Sequence, residues 1–296
     1  MKQGVVMMKR IYLAALAAAV LIAGCATSPE VKESGEVKKA EPVAELKKEP
    51  VKVVTTVYYP VRETSLYADG SVDEVTVYTY DEKGEKLLKK ELFDSDTVLQ
   101  EREEYEYTGD LPVVKKSFDK NGDLQNYHAY EYDGAGNVVS DIIYNPKDEI
   151  QSKSEYSWDG NKKIKWSVFD ASGALFGTTE YIYEGDLNTK IINRNSAGEK
   201  EESFVIEYNS SGLPVKKTEF SADGKILGSR SFEYKDGILV LEKVLRSNGS
   251  VKRKIVYSND EAGNPVEIIY TDSADNVQER IKKEYKSREV VSYVTE

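Results

Sequence analysis

From Val51 onward apolar and polar residues alternate at period two, and the apolar ones gather at the ends of short segments rather than in their middles. Segments of one kind end in paired aromatic positions: Tyr78-Thr79-Tyr80, Tyr105-Glu106-Tyr107, Tyr130-Glu131-Tyr132, Tyr156-Ser157-Trp158, Tyr181-Ile182-Tyr183 and Phe232-Glu233-Tyr234. Spacing of two places both rings of a pair on one face of a β-strand. Each pair runs into residues that accept positive φ, as in Asp81-Glu82-Lys83-Gly84, Asp133-Gly134-Ala135-Gly136-Asn137 and Asn209-Ser210-Ser211-Gly212. Segments of the second kind start apolar (Val113-Val114, Val138-Val139, Ile191-Ile192, Leu239-Val240) and end at Phe93, Phe118, Tyr144, Phe169, Phe220, Leu245 or Tyr270. They lead into a further turn, such as Asp119-Lys120-Asn121-Gly122-Asp123 or Ser247-Asn248-Gly249-Ser250. Asn-Gly and Asp-Gly between alternating segments are strong hairpin signals.

The pairs recur. Taking one aromatic rung per unit gives Tyr80, Tyr107, Tyr132, Trp158, Tyr183, Tyr208, Tyr234, Tyr257 and Tyr285, separated by 27, 25, 26, 25, 25, 26, 23 and 28 residues. A fixed period of this length marks one supersecondary unit copied in tandem. Most rungs are preceded, eight residues earlier, by an apolar residue (Val72, Leu99, Leu124, Ile150, Leu175, Ile226, Val277), with Lys200 and Gly249 breaking the column. Two strands and two turns use up a unit of about 25 residues, which leaves no space for a crossover helix, so consecutive strands pair antiparallel. The expected fold is all-β: a repetitive antiparallel meander of about 16–18 strands over residues 51–296, forming an open twisted or coiled sheet on the order of 80 Å long. Its last strand would expose an edge, which the charged stretch Glu279 to Glu289 is suited to blunt.

Strand centres are polar, as at Glu101 to Glu104, Lys115-Lys116 and Gln151 to Glu155, so charge falls on both faces. That argues against a lipid-spanning barrel and against a deep sandwich core. Stability is then expected from lateral cross-strand pairs, each contributing about 0.2–1 kcal/mol. In such an array, removing one unit would shorten the sheet without unfolding it.

The N-terminal region has a different pattern. Lys9 and Arg10 precede an apolar run, Ile11 to Ala23, of secretory-signal length and too short for a comfortable membrane span. Met8 is an alternative start to Met1. Ile22-Ala23-Gly24-Cys25 resembles a bacterial lipobox, which implies a signal peptide over residues 1–24 and lipidation, palmitate included, at Cys25. An ordinary signal peptide with a chance cysteine is the other reading. The resemblance also implies sorting: Ala26 and Thr27 are not the acidic inner-membrane retention signal, so the outer membrane is expected. Residues 25–50 are rich in Glu, Lys and Pro and hold no aromatic side chain, the composition of a flexible tether, with a short helix around Val43 to Lys48 as the alternative.

Losing Lys2, Lys9 and Arg10 from the 41 basic side chains leaves 38 against 52 acidic ones, a net charge of −14 for the mature chain. A nucleic-acid partner is therefore not expected. Cys25 is the only cysteine and His128 the only histidine, so no disulfide and no zinc or iron site built from these types is expected. The acidic turns Asp119 to Asp123 and Asp272 to Asn276 lack the twelfth-position glutamate of an EF-hand. There is no Gly-x-Ser-x-Gly elbow and no phosphate-cradling glycine loop, so neither an enzyme nor a cofactor is expected.

Tyr130-Glu131-Tyr132-Asp133-Gly134-Ala135-Gly136-Asn137-Val138-Val139 and Tyr78-Thr79-Tyr80-Asp81-Glu82-Lys83-Gly84 resemble the YD repeat of bacterial Rhs proteins. Elsewhere Thr108, Glu184, Asn209 and Lys235 stand in place of the aspartate. The resemblance implies a coiling β-meander shell. The Lys/Glu-rich ladder is also similar in style to the single-layer sheet of spirochaete outer-surface lipoproteins. The functional expectation is a membrane-anchored envelope lipoprotein serving as a structural or protein-interaction module, with its membrane face open. A glycan-binding surface module and an immunity or scaffold fragment of an Rhs-type system are the alternatives. Tyr80, Tyr107, Tyr132, Trp158, Tyr183, Tyr208 and Tyr234 are the candidate ligand-facing aromatics, unless they only brace the sheet.

Overall fold

The computed structural model describes residues 51–294, and its regular elements are 18 β-strands. The first nine are β1 (Val51–Tyr67), β2 (Val72–Tyr80), β3 (Leu87–Asp94), β4 (Leu99–Thr108), β5 (Leu111–Asp119), β6 (Leu124–Tyr132), β7 (Val138–Tyr144), β8 (Ile150–Asp159) and β9 (Lys162–Asp170). The second nine are β10 (Leu175–Glu184), β11 (Leu187–Asn195), β12 (Lys200–Tyr208), β13 (Pro214–Ser221), β14 (Ile226–Lys235), β15 (Ile238–Arg246), β16 (Val251–Asn259), β17 (Pro265–Asp272) and β18 (Val277–Val294). The signal peptide, lipobox and tether expected over residues 1–50 lie outside the described residues.

Each strand pairs antiparallel with the next, as expected from the hairpin signals. The expected open or coiled sheet is not what forms. β1 pairs with β18 from Val51↔Val294 to Tyr67↔Glu279, which closes the meander into an 18-stranded barrel. Glu279 to Glu289 therefore lies in a ladder with β1 and blunts no free edge of the sheet. Closure also changes what dropping a unit entails, because β1 and β18 would have to meet across a smaller circle.

The cause of the curl is regular. Every ladder carries one register shift, and in each hairpin the extra residue sits just past the turn, on the strand leaving it: Leu88 on β3, Val113 on β5, Val139 on β7 and Ile164 on β9 at one rim, Gln100 on β4 and Gln125 on β6 at the other; in the β1–β18 seam it is Val61, within β1. A bulge bends its strand and adds right-handed twist. Repeated with one sense around the sheet, that twist brings the last strand back to the first.

Turn chemistry fixes the hairpins. Asp133 Oδ1 accepts the backbone N–H of Ala135 and of Asn137, while Gly136 takes a φ of 86° that a side chain would resist. Asp170, Asp260 and Asp272 hold their turns in the same way. The shortest loops place positive φ at Gly109, Gly160 and Gly185, and at both residues of Asp236-Gly237.

The two faces of the wall differ. On β4, Tyr105 and Tyr107 are half-buried while Glu106 and Thr108 are exposed. Among ion-paired side chains, Glu103 and Glu242 on the rung face are 16% and 8% exposed, against 54% and 51% for Glu106 and Glu233 on the other. Two hollows of the wall, one lined by Tyr130, Asp141 and Trp158 and one by Glu63, Glu74 and Glu279, also open on the rung face. The rung face is thus the concave, lumenal one. Among the described residues no large side chain is fully buried, and no hydrogen bond or ion pair crosses from one side of the ring to the other. The barrel consequently encloses a lumen rather than a packed core. Eighteen strands at about 4.8 Å give a ring about 27 Å across before tilt widens it.

The outer face has its own apolar collar near the rim opposite the rungs. Phe93↔Leu99, Phe118↔Leu124, Tyr144↔Ile150, Phe169↔Leu175, Phe220↔Ile226 and Leu245↔Val251 are its cross-strand pairs. Lys200, opposite Arg194, interrupts the collar as expected; Gly249 does not, because Val251 fills that position. Thr271, not Tyr270, is the collar residue of β17.

Candidate functional site

The rungs form a ring just inside one rim, and each reaches back to the preceding unit. Tyr107 Oη donates to the carbonyl of Leu87 at 2.8 Å, Trp158 Nε1 to Val138 at 2.8 Å, Tyr183 to Lys163 at 3.0 Å, Tyr208 to Asn188 at 2.7 Å and Tyr234 to Pro214 at 2.9 Å. Tyr132 donates to Pro112 and Tyr285 to Pro265 in the same way. The acceptor is always the residue 20 positions earlier, at the start of the strand opposite. Tyr80 instead packs its ring against Tyr59, with centroids 4.7 Å apart. The rung hydroxyls therefore lace neighbouring units together, a role that period-two sterics alone does not reveal.

The eighth rung is misplaced in the sequence reading. Asn259, through Nδ2 to the carbonyl of Leu239 at 3.0 Å, occupies the position given above to Tyr257. Tyr257 belongs to the inner column, level with Tyr78, Tyr105, Tyr130, Tyr156 and Tyr181, each two residues before its rung. The irregular spacings of 23 and 28 were the available sign, since Asn259 makes them 25 and 26.

Inner-column rings sit deeper than the rungs. Burial raises the phenols of Tyr181 and Tyr257 to about 12 and also pushes those of Tyr78, Tyr105 and Tyr130 upward, with Glu103 adding to the effect at Tyr105. Opposite this column the units diverge: Lys90, Lys115, Asp141, Trp166, Ile191, Glu242 and Ile268 face inner rings, and Lys217 faces Ile206, which takes the ring's place in its unit. Glu242 and Arg230 pair at 2.6 Å, and Glu103 lies between Lys90 and Lys115 at 3.7 and 3.3 Å.

One stretch of wall departs from the pattern. Between β6 and β9 an open hollow of about 260 Å³ is lined by Tyr130, Val138, Asp141, Tyr156, Trp158 and Lys163. Trp158 replaces tyrosine as the rung, and Trp166 stacks on Tyr156 with centroids 6.4 Å apart and planes 13° from parallel. These are the only two tryptophans in the chain. The Lys163 amine lies 5.4 Å from the Tyr156 ring centre and 4.9 Å from that of Tyr181, and burial lowers its pKa. On the other side His128 Nδ1 donates to Asp141 Oδ1 at 2.9 Å, so the sole histidine braces a carboxylate of the hollow. Sequence reasoning missed this cluster because it weighed the rings as equal members of a repeat. The two tryptophans eight residues apart were the signal.

Of the sequence-derived candidates, Tyr80, Tyr107, Tyr132, Trp158, Tyr183, Tyr208 and Tyr234 all lie on the lumenal ring, and Trp158 lines this hollow. Cys25, Ile22, Ala23 and Gly24 lie outside the described residues. The acidic turns use their carboxylates on their own backbone: Asp119 Oδ1 accepts from Asn121 and Asp123, and Asp272 Oδ1 from Ala274 and Asn276. Among the described residues no group of three His, Cys, Asp or Glu side chains forms a metal cage.

No protein-family model matches the chain, and no curated protein does. Among solved structures it is similar to a porin-like protein from Bacteroides uniformis, with 10% identity and a TM-score of 0.38 over 80% of this chain and 98% of that one. A porin-like protein from Bacteroides vulgatus gives 14% identity and a TM-score of 0.33 over 76% and 98%. The Photorhabdus luminescens Tc holotoxin pore gives 11% and 0.22, with this chain spanning 17% of that one.

Proposed function

We propose that this chain is a lipid-anchored protein of the outer membrane whose barrel stands in water as a hollow interaction module. The observation that carries the reading is the charge on the outer wall. Arg102–Glu104, Lys116–Glu106, Lys153–Glu155, Arg194–Glu180, Lys216–Glu207 and Lys243–Glu233 lie on the face opposite the rungs, distributed from β4 to β15. An Arg or Lys facing the bilayer midplane costs about 2–4 kcal/mol, so a wall charged on hairpin after hairpin would forfeit on the order of tens of kcal/mol in lipid. The apolar collar is a single layer of pairs, too low for a hydrocarbon belt of about 25 Å. Anchorage then falls to acyl chains on Cys25, each buried methylene contributing about 0.8 kcal/mol.

Radiolabelled palmitate incorporation and membrane fractionation of the full chain and of Cys25→Ser test this reading. Wild-type protein is expected to be labelled and sedimentable, and the variant unlabelled, with the barrel digestible only after unfolding. Single-channel conductance in planar bilayers, or membrane retention of Cys25→Ser through carbonate extraction, would overturn it.

A further inference from the structure

We propose that the hollow between β6 and β9 is a carbohydrate site that seats a pyranose ring against Trp158 and Tyr156. The inference rests on the reading of the barrel as a water-facing interaction module and gives it a ligand class. Its basis is a departure from the chain's own repeat. At the rung position the other units hold Tyr or Asn, and here stands Trp158. Opposite the inner ring the other units hold Lys, Asp, Glu or Ile, and here stands Trp166. The only histidine braces the nearest carboxylate, Asp141. Bracing the sheet does not require these exceptions, because the remaining units close the same ladders without them.

The chemistry fits a sugar better than the other occupants of an aromatic surface. A pyranose has one face of C–H groups, which an aromatic ring covers, and an edge of hydroxyls, which need hydrogen-bonding partners. Trp158, Tyr156 and Tyr130 supply the flat apolar surface, while Asp141 accepts and Lys163 donates at the margin of the same hollow. A cationic ligand would meet the Lys163 ammonium already over the Tyr156 and Tyr181 rings. A proline-rich peptide would offer carbonyls to the Lys163 ammonium but no N–H to the Asp141 carboxylate, which it would bury unpartnered. The volume of about 260 Å³ is at the small end for a ligand site, which suits one ring of a longer glycan whose remainder lies in the lumen. Trp158, Val138 and Lys163 all stand near the rung-side rim, so a glycan entering that mouth meets the hollow first.

Both tryptophans flank the site, so intrinsic emission reads it without a label. The full-length chain in detergent micelles is titrated with chitotetraose, maltotetraose and a decaproline peptide. A saturable change in tryptophan emission with at least one sugar below about 5 mM is expected. Trp158→Tyr and Trp166→Ile restore residues the chain itself uses at these positions, so both should keep a wild-type melting curve, and each leaves one reporting tryptophan. Each is expected to weaken the sugar response at least tenfold, and Asp141→Asn to weaken it several-fold. No saturable sugar response up to 20 mM, an equal response in wild type and both tryptophan variants, or a response to decaproline alone would overturn the proposal. Those results would leave the water-facing barrel untouched, since conductance and extraction test that separately.

Discussion

Replacing rung tyrosines by phenylalanine isolates what the lacing hydroxyls contribute. Tyr208→Phe keeps the ring and removes the 2.7 Å bond to the Asn188 carbonyl. A neutral hydrogen bond contributes about 0.5–1.5 kcal/mol net, and the half-exposed rim lets water reach the freed carbonyl, so about 1 kcal/mol is expected. For a domain of this size that corresponds to roughly 2–4 °C in Tm. Tyr107, Tyr132, Tyr183 and Tyr208 stand on β4, β6, β10 and β12, never on adjacent strands. Their effects should therefore add, and the fourfold variant should lose about 4 kcal/mol. Tyr293→Phe is the control, because that ring is 66% exposed near the end of β18. Differential scanning calorimetry with circular dichroism at the same protein concentration measures all of them. If the rung variants melt with the Tyr293→Phe control, the ring of hydroxyls does not hold the units together. If any single rung variant fails to fold, the lacing is far stronger than a neutral hydrogen bond allows.

Alkali should unfold the barrel steeply above pH 10: burial raises the inner phenols in the folded state, so below the unfolded pKa their stability is intact, and it is lost as pH rises toward the folded values. Phenolate absorbance at 295 nm should appear together with loss of β-sheet dichroism, and phenolate appearing well before unfolding would contradict this. Acid acts through the turns: the Asn137 side chain and backbone N–H groups hold Asp133 below its ordinary pKa, and Asp272 is held likewise by Asn276, so the stability they give is present above about pH 4 and lost as pH falls through the folded values. Asp133→Asn and Asp272→Asn should flatten the acid limb of Tm against pH; an unchanged limb would exclude these turns as its source. Gly177→Ala would put a Cβ 2.8 Å from the Arg194 carbonyl and should cost about 1–3 kcal/mol by urea denaturation, whereas a neutral result would mean that β10 and β11 separate easily.

Local structure was legible because each hairpin announces itself. Asp and Asn before Gly mark the turns, and paired aromatics mark one strand face, so the all-β antiparallel meander follows from period two and turn chemistry. Closure was not legible, because pairing between β1 and β18 spans the whole chain and leaves no local spacing to read. Two hints were present. The apolar doublets Val113-Val114, Val138-Val139 and Leu239-Val240 break strict alternation where the bulges fall, and the terminal strands, at 17 and 18 residues, are longer than the others. The rung phase slipped at Tyr257 because aromatic character was followed where position mattered: Asn259 can donate the same bond without a ring. The lumenal hollow stayed hidden for a related reason, since Asp141, Trp158 and Lys163 meet only when three strands lie side by side.

The most direct test of closure is at the seam itself. Glu63 and Lys283 are lateral partners there, with the ammonium 2.8 Å from the carboxylate. Glu63→Cys with Lys283→Cys, in a chain whose Cys25 is replaced by Ser, puts two thiols at positions whose Cα atoms lie within disulfide reach in an antiparallel ladder, about 4.5–5.5 Å. Mild oxidation of dilute native protein should give a single intrachain disulfide in nearly every molecule, located by peptide mapping. Two thiols that stay open to alkylation, or link only between molecules, would mean that the first and last strands stand apart and the sheet is open.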